Sequence, residues 1–425
     1  MADTVPPPAP RSAIEQFRTS NHWAVSLARD LLWVIGVVGS IAILLFLICG
    51  TWPAVVTIES GSMIPNMNIG DLVVVVEKEP FAGAGSTSKA AGGVRAQFST
   101  PLNVRLSMLS ISRFKVFAEE MDTDPVYFPV GYLFLLGDPQ SWATFQRQAE
   151  MQRSLGLPVQ TLTPAGAKEL VPELNVADLL GATFCLEDGL GNPHEVTQSY
   201  VAQARRLGAL FRFGEPATGL VMEGTRVTGV RTAGGTISTP MVVNAAGPHA
   251  REVGGWAGVD VPVKAVRRHC FTTEPLPMAR EDLPMIVDMT SGVYMHRESG
   301  GMLLGYANPE EPEGFNLSVN WDLLDRIVEP AVHRVPPLEE AEVSNGWAGL
   351  YETTPDHNSI LGPPQAVQGL MLANGFSGHG FMHAPAVGQL IAEWIVDGRP
   401  GLDLSPLRLE RFAGRTGGEE EANVI

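Results

Sequence analysis

Val73–Ala84 reads VVVVEKEPFAGA: four β-branched residues, an acid at Glu77, then a turn of small residues. Four consecutive valines bounded by a charge and a Pro/Gly turn fit a short buried strand better than a helix. The two sides of this stretch differ in kind. Before it the chain carries a long uncharged run and few polar positions. After it, glycine turns, alternating patterns and helical periodicity recur to the end. The strand is therefore a seam between two unlike parts.

The 425 residues are enough for two domains with sizeable cores. A net charge of −17 argues against a nucleic-acid partner, because phosphate binding needs a basic face. Cys49, Cys185 and Cys270 are widely spaced, so neither a disulfide framework nor a metal site is implied.

Residues 1–30, rich in proline, alanine and charge at their start, are read as a disordered cytoplasmic tail. Leu31–Cys49, LLWVIGVVGSIAILLFLIC, has no charge and is long enough to cross a bilayer as a helix. Trp23, Trp33 and Trp52 lie near its ends. Arg11, Arg18 and Arg29 precede it, and no Lys or Arg follows until Lys78. These features predict one transmembrane helix over residues 31–50, in contact with lipid, with the N-terminus cytoplasmic and the body outside. A flavoenzyme body without this anchor would instead be cytoplasmic.

The run IESGSMIPNMNIGD, residues 58–71, resembles the nucleophile box of archaeal and endoplasmic-reticulum type signal peptidases I, over residues of about 25–80. By that resemblance Ser62 stands at the nucleophile position of a segment spanning 51–76. A serine nucleophile needs a base. No histidine follows before His194, and the His333-Arg334 pair lies in the other part of the chain, so Ser62 is expected to be inert.

Four blocks of the body resemble the D-amino-acid oxidase/sarcosine oxidase superfamily of FAD-dependent oxidoreductases, in that family's order. They are EKEPFAGAGSTSKAAGGVR (77–95), VVNAAGPHA (242–250), GWAGLYETTPDHNSILGP (346–363) and ANGFSGHGFMHAPAVGQLIAEW (373–394). The resemblance spans 77–412 and implies FAD as cofactor and a small amine or amino acid as substrate. It places Glu77, Lys78, Ser86, Thr87, Gly92, Gly93, Ala246, Gly247, Gly375, Gly378, His379, Gly380, Phe381 and Met382 at the cofactor. Glu77 would bind the adenosine ribose, as an acid does in other dinucleotide folds. Relatives pass hydride from a C–N bond to the flavin, while the protein supplies orientation and electrostatics.

A substrate carboxylate calls for a fixed arginine. Arg297 in YMHRESGGMLLG is the candidate, with Tyr294 and His296 beside it; since strand neighbours alternate, at least one of the three should face the pocket. Trp347 and Tyr351 are candidate pocket walls. Met382 stands where sarcosine oxidases carry a lysine, which disfavours sarcosine itself. His379 and His383 lie four apart on one helix face, too few ligands for a metal.

The family opens with a strand, GxGxxG and a helix whose N-terminus holds the pyrophosphate. No such run lies about twenty residues before Glu77; VIGVVGSIAI (34–43) has only Gly36 and Gly39 and sits in the apolar span. Weak or absent FAD binding is therefore expected. The predicted fold is α/β (α+β): a Rossmann-like parallel sheet missing its first βα unit (about 73–125, 187–258 and 344–412), and a mixed-sheet substrate domain (about 126–186 and 259–343). Residues 413–425 are read as disordered. The leading function is amine or amino-acid oxidation impaired by the missing fingerprint. The alternatives are a membrane-bound serine peptidase and an inactive fusion of two unrelated segments.

Overall fold

The computed structural model describes residues 72–414 and 419–424. The predicted tail, the membrane span and residues 51–71 of the nucleophile segment, with Ser62, lie outside the described residues. Among the described residues no helix is long and apolar enough to cross a membrane.

The largest element is an eight-stranded mixed sheet, here called the roof. Its strand order across the sheet is Val343–Thr353, Lys264–Thr273, Gly301–Tyr306, Val293–Glu298, Met285–Asp288, Tyr132–Leu136, Gly181–Cys185 and Gln160–Leu162. All neighbours are antiparallel except Met285–Asp288 with Tyr132–Leu136. One face carries Leu133, Leu135, Phe271, Val293, Met295 and Leu304, packed with Ile327 and Ala331 of helix Leu324–Arg334. The other carries Tyr132, Phe134, Cys270, Met285, Val287, Tyr294 and Leu303. Both faces are apolar because both are covered, so these strands read as nearly continuous hydrophobic runs. Val343–Thr353 pairs along Lys264–Thr273 over almost its whole length. The expected boundary near residue 344, which gave this strand to the cofactor-binding part, is corrected accordingly.

The parallel strands come in two separate pieces. Among the described residues Val74–Glu77 pairs only with Leu210–Phe213. Among them, too, Val242–Asn244 pairs only with Leu370–Asn374, which pairs in turn with Ile360–Gly362. Each piece thus has a parallel edge with no strand beside it among the described residues, and Leu72, Val75 and Val243 are exposed there. In a doubly wound dinucleotide fold the first strand lies between the ribose-acid strand and the strand after the crossover.

Helix Pro101–Met121 packs against helix Gly380–Asp397 through Val104, Leu106, Ile111 and Phe114 on one side and Met382, Ala386 and Leu390 on the other. The reading of 413–425 as disordered is corrected for its described part. Glu419–Val424 returns to the body, with Glu421 and Asn423 fully buried.

Candidate active site

The site is built where three segments converge: the Gly375–Gly380 turn, the Lys89–Gln97 loop, and the roof face bearing Tyr132 and Tyr294.

The turn links strand Leu370–Asn374 to helix Gly380–Asp397. It closes in three left-handed residues: Gly375 (φ 73°), Ser377 (φ 50°) and Gly378 (φ 95°). A Cβ on Gly375 would meet Thr354 at 2.3 Å, and one on Gly378 would meet the Tyr351 ring at 2.3 Å. Both glycines are required by conformation and by space. The Glu352 carboxylate accepts the Gly375 N–H at 2.9 Å and fixes the start of the turn.

In the Lys89–Gln97 loop, Gly92 is left-handed (φ 77°), and Gly93 lies so close to the Tyr132 hydroxyl that a Cβ would overlap it. The chain then buries Arg95 and Gln97 completely. The Arg95 guanidinium donates to the Gln97 carbonyl at 2.6 Å, contacts His379 Nε2 at 3.2 Å and lies over the Phe98 ring at 4.1 Å. Gln97 Nε2 donates to Asp188 at 2.9 Å and to the Tyr132 carbonyl at 3.1 Å, and Asp188 also accepts the Ala96 N–H at 2.7 Å.

The roof face adds a band of aromatic and cationic groups. The register aligns Cys270 with Trp347 and with Gly305, and Gly305 with Tyr294. Tyr294 Oη lies 3.7 Å from Cys270 Sγ, and Trp347 Nε1 donates to the Lys89 carbonyl at 3.0 Å. Arg268, two residues from Cys270 and so on the same face, places its guanidinium 5.3 Å from the Tyr351 ring centre. Several buried polar atoms around this space have no protein partner: Arg95 Nε, Gln97 Oε1, Arg268 Nε, His296 Nε2 and Asn374 Oδ1. Buried polar atoms are normally paired, so such a cluster marks a place for a ligand.

Burial sets the charge states. It pushes the Asp188 carboxyl up to about 7 against the hydrogen bonds from Gln97 and Ala96, and Glu352 likewise to about 7. It lowers His383 to about 3 and, with Arg95 nearby, holds His379 well below the usual imidazole range. Burial also keeps the Tyr132, Tyr294 and Tyr351 phenols protonated. The consequence for stability follows in sign. A raised carboxyl stabilises below its unfolded value near 4 and loses that contribution as pH rises toward 7. A lowered histidine stabilises above 6.5 and loses its contribution as pH falls toward 3. Over pH 4–6.5 the two carboxyls and two histidines oppose one another. Burial lowers His269 and His296 as well, so lowered histidines outnumber raised carboxyls and wild-type urea stability is expected to rise with pH toward 6.5. In Asp188→Asn that rise should steepen by up to about 1.4 kcal/mol per unit, the slope of one proton. A slope unchanged from wild type would refute the assignment.

The predicted site residues divide. Tyr294 faces the site, and His296 is buried on the same face, its Nδ1 on the Arg297 carbonyl at 2.6 Å. Arg297 is not brought in. It lies opposite Met302 on the other face, and its guanidinium reaches Glu281 at the surface at 3.9 Å. The reason is the alternation itself: an odd offset from Tyr294 turns the side chain away. Glu77 ends its parallel strand with Oε1 on the Glu79 N–H at 2.8 Å. Lys78 pairs with Glu79 in solvent, and Ser86 Oγ is used on the Leu350 carbonyl at 2.8 Å. Thr87 opens a short 3-10 turn. Ala246 and Gly247 follow strand Val242–Asn244, and Gly247 (φ 55°) has open space where a Cβ would stand. His379 joins Arg95, whereas Phe381 packs on Phe114 (5.5 Å between centres) and Met382 enters the core below. His383 bonds Ser107 Oγ at 2.9 Å. The sequence reading missed Arg95, Gln97, Asp188, Tyr132 and Arg268. Arg95 ends the EKEPFAGAGSTSKAAGGVR block and Gln97 lies two residues beyond it; a cation and an amide closely following the Gly92-Gly93 pair were the available signal.

These residues fit a flavin at the ring end and an adenosine ribose at Glu77. Between the two, the described residues offer no glycine loop leading into a helix for the phosphates.

Comparison with known proteins identifies the family. The family pattern described as FAD dependent oxidoreductase (DAO) matches residues 69–394. FAD-dependent oxidoreductase domain-containing protein 1 of Xenopus laevis is 31% identical over 383 residues, covering 80% of this chain and 76% of that protein. Mitochondrial sarcosine dehydrogenase of Homo sapiens is 30% identical over 329 residues, 73% of this chain but 36% of that protein. Among solved structures, L-proline dehydrogenase from P. horikoshii superposes with a TM-score of 0.76 at 32% identity, covering 81% of this chain and 92% of that one. Glycine oxidase from Geobacillus kaustophilus gives 0.72 at 26%, covering 81% and 92%. The chain belongs to the FAD dependent oxidoreductase (DAO) family, a family of FAD-dependent flavoproteins.

Proposed function

We propose that the body oxidises a C–N bond of a small amine or amino acid, and that it holds its FAD weakly. The observation that carries the first half is the set of buried polar atoms without a protein partner on the segments that converge here: Arg95 Nε and Gln97 Oε1 on the loop, Arg268 Nε and His296 Nε2 on the roof, and Asn374 Oδ1 before the turn. Relatives named for sarcosine, dimethylglycine, L-proline and glycine support the substrate class. When bound, the flavin supplies the acceptor for a hydride. The chain's own residues do the rest. Gly375, Gly378 and His379 offer backbone close to the ring, and Glu77 offers a carboxylate to the ribose. Tyr132, Tyr294 and Tyr351 wall the substrate space and exclude water.

Arg268 is the cation for a substrate carboxylate. It shares the roof face with Cys270 and Tyr351, and its Nε is unpaired. Arg297 faces the other way. The split parallel sheet supports weak retention, since among the described residues no strand lies beside the second edge of Val74–Glu77 or of Val242–Asn244.

The test is to purify the chain, read its flavin absorbance, add FAD, and follow anaerobic bleaching with sarcosine, dimethylglycine, L-proline and glycine. Flavin well below one per chain as isolated is expected, then bleaching by at least one of these after loading. Arg268→Met should raise KM by about 10- to 100-fold, the worth of a charged hydrogen-bonded pair. Arg297→Met should stay within about twofold. Stoichiometric flavin as isolated overturns the weak-binding half, and a loaded protein that none of the four bleaches overturns the catalytic half.

A further inference from the structure

Segment Glu419–Val424 is bound as a ligand would be. The Glu421 carboxylate is fully buried and meets six donors. Oε1 accepts from Ser99 N at 2.9 Å, Ser99 Oγ at 2.7 Å and Asn423 N at 3.0 Å. Oε2 accepts from Thr100 N at 3.2 Å, Thr100 Oγ1 at 3.3 Å and Asn103 Nδ2 at 3.0 Å. All but Asn423 N belong to the N-terminus of helix Pro101–Met121, where the unpaired N–H groups and helix dipole favour an anion. The rest of the segment is tied as well. The Glu419 carbonyl accepts from Asn358 Nδ2 at 2.7 Å, Glu421 N donates to the Asp356 carbonyl at 3.1 Å, and Ala422 N donates to Ser99 Oγ at 2.8 Å.

The next residue reaches the site. Asn423 is buried, donates to Gln148 Oε1 at 3.0 Å, and its carbonyl accepts from Arg95 Nη2. The same Nη2 faces His379 Nε2 at 3.2 Å. Arg95 is fully buried, so its orientation depends on the few acceptors around it, and one of them belongs to this segment.

We infer that Glu419–Val424 is a docked strap that orients Arg95 toward His379, with Glu421 as the anchor and Asn423 as the positioning residue. The inference deepens the reading of the site as a flavin pocket, because Arg95 and His379 border the turn where the ring would lie. It is nevertheless testable without flavin, so its failure and the failure of that reading are distinguishable.

The experiment uses a chain ending at Gly418 and a fluorescent peptide of residues 419–425, EEEANVI. The peptide is expected to bind the shortened chain saturably. Binding to the full chain, whose own strap fills the groove, should be at least tenfold weaker, and so should binding of the Glu421→Ala peptide to the shortened chain. Phenylglyoxal labelling located by mass spectrometry reads Arg95 directly. Arg95 should be protected in the full chain, labelled in the shortened one, and protected again by saturating peptide. A peptide ending at Ala422 should not protect it, which separates positioning from mere bulk. A cooperatively melting shortened chain that fails to bind the peptide overturns the inference, and so does Arg95 labelling that ignores the strap. If the shortened chain does not fold, full-length Glu421→Gln decides: Arg95 that stays as protected as in wild type overturns the inference, and Arg95 that becomes labelled supports it.

Discussion

Gly378→Ala is expected to destabilise the body by about 2–5 kcal/mol and to abolish any flavin signal. Two costs add. A side chain in the left-handed region costs about 1–2 kcal/mol, and Gly378 has φ 95°. The new Cβ would also stand 2.3 Å from Tyr351 Cε2. Overpacking of that kind costs about 1–3 kcal/mol, because the ring must shift in a packed site. Tyr351 is the ring beside Arg268, so the shift lands on the pocket. Gly398→Ala is the matched control. Gly398 has a similar φ of 73° but nothing within 4 Å of its Cβ, so only the conformational cost remains, about 1 kcal/mol. Urea denaturation of both variants separates the terms, and equal losses would remove the close approach to Tyr351 from the account.

Arg334→Leu is expected to cost about 3–5 kcal/mol, the usual result of leaving one charge of a buried pair alone. Arg334 is 1% exposed. Its Nε donates to Asp288 at 3.1 Å, and its other nitrogens reach both oxygens of Asp178 at 2.7 and 3.1 Å and the Asn175 carbonyl at 2.6 Å. The guanidinium holds Asp178 down at about 2, with help from His333. Asp288 ends a central roof strand and would be left buried with the Thr290 N–H at 2.9 Å. Adding Asp288→Asn should recover part of the loss, since the stranded charge is then gone. A double variant no more stable than the single one would show that packing around Arg334, not its charge, is what matters. The cluster also accounts for His333-Arg334 without reference to proteolysis: the pair closes a helix and ties it to Asp178 and Asp288.

The parts of this fold legible in the sequence were those with a local cause. Gly92, Gly93, Gly375 and Gly378 stood out in the blocks that resemble the family, and each has a specific neighbour that a Cβ would strike. The apolar runs of the roof were visible, but their order was not, because pairing between residues as distant as 132 and 285 leaves no local trace. Arg297 shows the same limit at one residue. The strand was identified, yet which of its faces met the pocket depended on a partner strand, and the neighbouring arginine that does face it sits on Lys264–Thr273. Arg95 escaped because a buried arginine looks, in sequence, like any solvated one. Glu419–Val424 escaped because three successive glutamates suggest a solvated end, and only a helix N-terminus more than 300 residues away in sequence makes a buried carboxylate favourable.

The two halves of the parallel sheet carry a further meaning for how the molecule behaves in a crowded solution. Among the described residues Val74–Glu77 and Val242–Asn244 each have an edge without a partner strand, beside exposed Val75 and Val243, and such an edge is a template for pairing. Any extended segment that reaches them can lengthen the sheet, whether from another copy of the chain or from an unfolded neighbour. Among the described residues, therefore, the same open edges that support the proposal of weak FAD retention also offer a place where an extended segment can pair, which ties that proposal to solubility as well as to cofactor affinity.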